Sequence, residues 1–137
     1  MTNEVPLRFT RATIILIIAV QVLLGLVFVA APQTFPSLLG LEPAPAWTDW
    51  IFAQFGARAL GFAYGMALAL RDLRRHADWL IAMILVQVID WIATVMALVS
   101  GKVGLAQVAT APFFPILFVA VLGLELRRQA RTASQTR

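Results

Sequence analysis

The chain has 137 residues, 61% of them hydrophobic and 13% charged, with a formal net charge of +4 and no cysteine. That balance leaves too few polar residues to cover a soluble globule, so composition points to an integral membrane protein. The missing cysteine excludes disulfides, thiolate nucleophiles, iron–sulfur clusters and Cys-type metal sites; the basic residues, gathered at the ends of apolar runs, fit membrane topology and anionic lipid and give no reason to invoke nucleic acid.

Four apolar runs use up the length, which predicts one domain: an all-α, four-helix integral membrane bundle with spans at about 12–31, 50–70, 79–100 and 105–126. The first run, TIILIIAVQVLLGLVFVAA, follows Arg8 and Arg11 and is interrupted only by Gln21 and Gly25. A cleaved signal peptide is its competing reading. The run exceeds the usual apolar core of a signal, and Pro32 would follow a cut after Ala31.

Pro32, Pro36, Pro43 and Pro45 forbid a continuous helix through the next stretch. A long loop is expected there, with Phe35, Leu38, Leu39 and Leu41 as a short interfacial helical turn and Trp47 and Trp50 as an aromatic belt. In the second span Ala53, Ala57, Gly61 and Gly65 recur every four residues, the small-residue pattern that lets helices approach closely in lipid. Gln54, Arg58, Gly61 and Gly65 share an arc of roughly 60°, which places the charge on the expected packing face. The connection RDLRRHAD holds the only histidine, His76, expected as a solvated loop residue.

The third span sets Gln87, Asp90, Trp91 and Thr94 on one helical face. The fourth contains Pro112 and Pro115, which predict a kink and leave the carbonyls of Val108 and Ala111 in need of partners. Glu125 falls near its end and reads as a snorkelling surface carboxylate. Residues 127–137 form a basic tail, expected to be disordered beyond its first turn. Nine Lys/Arg flank the spans on one side and only Lys102 on the other, so both termini are expected in the cytoplasm of a multi-pass protein.

Charges inside spans cost roughly 2.5–3.5 kcal/mol on insertion scales, which makes Arg58 and Asp90 the candidate site. Counted from the span ends, they lie at roughly 12 and 13–14 Å below the outer boundary. Gln21, Gln87 and the Pro112/Pro115 break come to a similar layer, with Gln54, Thr94, Tyr64 and Trp91 beside it. Two readings stay open: a closed Arg58–Asp90 ion pair that fixes helix register, or a cavity where Arg58 holds an anionic or carbonyl group and Asp90 orients it. No metal or cofactor motif, HExxH, GxSxG, Walker or dinucleotide pattern is present.

The A-R-A-L-G-x-x-x-G core of the second span (Ala57, Arg58, Ala59, Leu60, Gly61, Gly65), the polar third span and a fourth span ending in Glu125 resemble the DoxX-like group of small bacterial four-helix membrane proteins. The resemblance implies a bundle in the bacterial inner membrane. Through members linked to quinone-coupled sulfur oxidation or redox stress, it also implies quinone as the cofactor to consider. Three functions follow as expectations: an accessory subunit or hydrophobic-ligand-binding bundle, with a homo-oligomer or partner membrane subunit; a membrane-embedded enzyme or quinone-interacting subunit using Arg58 and Asp90; or a small-solute or proton carrier acting as a dimer, for which the chain shows no inverted repeat.

Overall fold

A computed structural model describes residues 4–108 and 111–135. Among them the chain is all-helical: α1 (Glu4–Ala30), α2 (Thr34–Leu38), α3 (Thr48–Arg71), α4 (Ala77–Val99), α5 (Leu105–Val108) and α6 (Phe114–Gln135). The first three expected spans correspond to α1, α3 and α4.

The fourth differs. The predicted kinked helix is broken into α5 and α6 by a turn at 111–113, because Pro112 and Pro115 each remove a helical amide donor within one turn. Residues 109 and 110 of that span, and 136 and 137 of the tail, lie outside the described residues. The tail is also corrected: α6 continues to Gln135. Its back-bonds Thr132 Oγ1 to Arg128 O (3.1 Å) and Ser134 Oγ to Arg131 O (2.8 Å) follow the helix, and no proline or glycine interrupts it after Gly123.

Helix ends follow local chemistry. Beyond α3, Asp72 takes an extended conformation and its Oδ1 accepts the backbone N–H of Arg74 (3.1 Å) and Arg75 (3.0 Å), turning the chain toward α4. After α4, Gly101 adopts φ +69°. Its N–H reaches Leu98 O (3.1 Å) and that of Lys102 reaches Ala97 O (3.0 Å), the paired bonds of a Schellman stop that needs a left-handed residue.

The most extensive packing joins α1 to α3, and the next joins α4 to α6. Where α1 and α3 cross, a Cβ on Gly56 would lie 2.8 Å from Gly25 O, and one on Gly25 would lie 2.6 Å from Leu60 Cγ. The close seam therefore runs through Gly25, Gly56, Ala59 and Ala63. It does not follow the expected stripe, in which Ala57 and Gly61 are exposed and only Gly65 packs tightly.

All four long helices share one core: Ile14 and Ile17 of α1, Met66 and Ala69 of α3, Leu80 and Met83 of α4, and Phe118 and Leu122 of α6, with Leu73 from the turn. These residues sit in the half nearer the Arg-rich connection and tail, here the basic end. In the opposite half, the loop end, aromatic contacts join α1 to α3 and a hydrogen bond ties α4 to the turn before α6. Phe28 of α1, 5% exposed, gathers Phe35, Phe52 and Phe55 at ring distances of 5.2–5.6 Å. In the other pair Trp91 of α4 donates its indole N–H to Pro112 O at 3.0 Å. α3 and α4 touch at Gly65 and Trp79; toward the loop end Arg58 and Asp90, which fall near the same faces of the two helices, are exposed, so a cleft is left between the helices there.

Candidate functional site

The walls of that cleft carry the two charges that fall within apolar runs, Arg58 and Asp90. An added Cβ on Gly65 would overlap the Trp79 ring, so the two helices touch there. Arg58 precedes Gly65 by seven residues and Asp90 follows Trp79 by eleven; at about 100° per residue each returns to within about 20° of the contacting face. They stand roughly 10 and 16 Å above the vertex, about one helical turn apart in level.

Of the two readings left open, the closed Arg58–Asp90 pair is not formed. Arg58 and Asp90 are both exposed, and neither side chain makes an ion pair or hydrogen bond among the described residues. Arg58 lies away from the α1 seam because α1 occupies the Gly56–Ala59–Ala63 face of α3. The arc that carries Arg58 and Gly65 does face α4, but the helices separate before they reach Arg58.

The remaining candidates divide. Gln54 and Tyr64 are exposed on α3, Tyr64 at 66%, and join no layer. Gln21 is half-buried on the packed side of α1 without a hydrogen bond among the described residues. Thr94 Oγ1 bonds back to Asp90 O at 2.8 Å, an interaction within α4 that leaves the carboxylate untouched. Gln87 is buried, with Nε2 3.5 Å from Met83 Sδ. Together with Trp91, Val88, Pro115, Ile116 and Val119 it lines an apolar groove of about 450 Å³ between α4 and α6. The structure thus brings Gln87 and Trp91 together with the proline break in one groove, which neither Arg58 nor Asp90 lines. Of the two carbonyls the prolines were expected to free, Val108 O accepts from Ala111 N–H (2.9 Å), while the Trp91 indole goes to Pro112 O.

One polar cluster escaped sequence reasoning. Glu125 is 3% exposed, which corrects the surface reading. Both its oxygens accept from Arg128, Oε2 from Nε at 3.0 Å and Oε1 from Nη2 at 2.9 Å, and Oε1 also accepts from Gln129 Nε2 at 3.0 Å. That bond holds the Arg128 guanidinium above its ordinary range. Gln129 Nε2 also lies 3.3 Å from Leu73 O, which ties α6 to the α3–α4 turn. The signal was present as Glu-x-x-Arg-Gln on one helical face. It was outweighed by the position of Glu125 at a span end, where carboxylates usually meet water.

At the loop end, Gln33 Nε2 hydrogen-bonds the Asp49 carboxylate and lies 3.4 Å from Thr48 Oγ1, pinning the start of the long loop to the first turn of α3. Gln33 Oε1 is buried without a partner among the described residues, at the edge of a cavity of about 430 Å³ lined by Pro36, Leu38, Leu41 and Pro43.

The chain matches no family model, no curated protein and no solved structure. The resemblance to the DoxX-like group accordingly stands on its motif residues alone.

Proposed function

We propose that the chain is a small multi-pass protein of the bacterial inner membrane, both termini cytoplasmic, that works as a non-catalytic accessory component by docking other membrane helices into the α3–α4 cleft. The observation that carries this reading is that Arg58 and Asp90, near the facing sides of α3 and α4, are exposed and have no partner among the described residues. In lipid such charges call for a partner, and in this chain they do not serve each other. Two further features support membrane embedding. α1 from Arg8 to Ala30 and α4 are each long and apolar enough to cross a bilayer, and only 28% and 17% of their most apolar stretches are buried inside the molecule. A core helix of a soluble protein would have most of that surface covered.

A second reading, a bundle that binds a hydrophobic small molecule, is favoured by a different feature, the 450 Å³ apolar groove at Gln87 and Trp91. Purification in mild detergent with mass spectrometry of co-purifying proteins, lipids and quinones separates the two. A stoichiometric membrane polypeptide, either another protein or a further copy of this chain seen in the mass of the intact assembly, lost on Arg58→Leu, is the expected result. A stoichiometric lipid or quinone retained on Arg58→Leu but lost on Gln87→Leu would replace the accessory reading with the ligand-binding one.

A further inference from the structure

We propose that the occupant of the α3–α4 cleft is a second copy of this chain, related by a two-fold axis along the membrane normal, with Arg58 of each copy paired to Asp90 of the other. The proposal rests on the membrane reading above. Charge complementarity is its basis. An axis along the normal preserves depth, so a residue on one copy meets only residues at its own level on the other. Arg58 and Asp90 meet that condition to within about one helical turn, a gap that an arginine side chain spans.

They also lie on one cleft. A two-fold operation therefore sets each cation against an anion twice over and leaves no charge behind. A foreign subunit would need its own inverse pair at the same depth. Within one chain the two charges stay apart: both are exposed, and neither makes an ion pair or hydrogen bond among the described residues. The surface beside the charges is small and open. Ala57 and Ala93 are exposed, and a Cβ on Gly61 would meet nothing within 4 Å, which permits close approach of another helix.

The test uses charge reversal in two tagged full-length chains. Arg58→Asp yields a copy with two acids in the cleft and Asp90→Arg a copy with two bases. Expressed alone, each is expected to self-associate roughly tenfold more weakly than the parent in single-molecule photobleaching of vesicles. Expressed together they are expected to co-purify, because each acid then faces a base. Pairing within one chain predicts no such rescue, so failure of the mixture to co-purify would overturn the proposal.

A second measurement does not depend on those variants folding. The chain has no cysteine, so Gly61→Cys introduces a single thiol, and oxidation of native membranes is expected to give a cross-linked dimer. Alkaline extraction of the same membranes keeps the two claims apart. Chain retained in the pellet without a cross-link overturns the dimer alone, whereas chain released to the supernatant overturns both the membrane reading and the dimer.

Discussion

The Trp79 ring of α4 fills the space that any side chain at position 65 of α3 would need, so the vertex of the cleft is a glycine against an indole. Gly65→Ala is expected to destabilise the fold by about 1–3 kcal/mol through overpacking. Gly123→Ala, where a Cβ meets nothing within 4 Å, is expected to be neutral or to stabilise by up to about 1 kcal/mol through helix propensity. Denaturant unfolding in detergent micelles, followed by far-ultraviolet circular dichroism, compares the two. Equal midpoints for both variants would mean that the Gly65–Trp79 contact does not limit packing.

The Glu125–Arg128 pair is lopsided in exposure, with side chains 1% and 41% accessible. Removing the arginine strands a buried carboxylate with only Gln129, whereas removing the carboxylate leaves a guanidinium that reaches water. Arg128→Ala is therefore expected to cost about 3 kcal/mol and Glu125→Ala about 1 kcal/mol. The double replacement by leucine should recover most of the larger loss. A reversed order of the two single variants in the same unfolding assay would show that the carboxylate is not effectively buried.

Asp72 is held below the ordinary carboxylate range, first by the N–H of Arg75 and, against a smaller effect of burial, by that of Arg74. A lowered folded-state value means that its contribution is fully present above the unfolded-state value, near 3.9, and is lost as pH falls through the folded-state value. Hydrogen-exchange protection of the Arg74 and Arg75 amides is expected to hold from neutral pH down to about 4 and to fall below it. Asp72→Asn should flatten that dependence. Protection that stays constant to pH 2 in the parent chain would contradict the assignment.

Trp91 carries its own prediction, because its indole N–H is the hydrogen-bond partner of Pro112 O in the turn before α6. Trp91→Phe keeps an aromatic body in the groove and removes the donor, with an expected loss of about 1 kcal/mol. Trp91→Leu removes the ring as well and should cost more. Identical unfolding midpoints for the parent and the Phe variant would assign Trp91 to packing alone.

Much of the helical layout was legible because apolar runs of about twenty residues leave little choice of structure, and because proline, glycine and Asp72 mark the breaks between them. The short turn around Phe35 was legible for the same reason, although Phe35 packs on Phe28 inside the fold. What periodicity did not decide was which face of α3 meets which neighbour. Its small residues occupy several faces at once: Gly56, Ala59 and Ala63 toward α1, Gly65 toward α4, and Ala57 and Gly61 toward open space. Depth counting placed Arg58 and Asp90 at one level, but depth says nothing of lateral separation, and the divergence of α3 from α4 is a tertiary property. Glu125 was misplaced for a related reason, since residues that share a pocket with it, Phe9 and Thr10, come from α1 at the far end of the sequence.

The break at Pro112 also sets a length. From Phe114 to Leu126, where the arginines begin, α6 offers thirteen residues, or about 20 Å of apolar helix, against the roughly 30 Å of a typical hydrocarbon layer. In the membrane reading, lipid beside α6 must thin or its arginines must stretch toward the headgroups, at a fraction of a kcal/mol per ångström of mismatch. The molecule would then be lopsided to its bilayer, with full-length walls at α1 and α4 and a short one at α6. Bilayers of shorter acyl chains should hold it with the least distortion, and the thinned edge gives neighbouring molecules a reason to gather on that side.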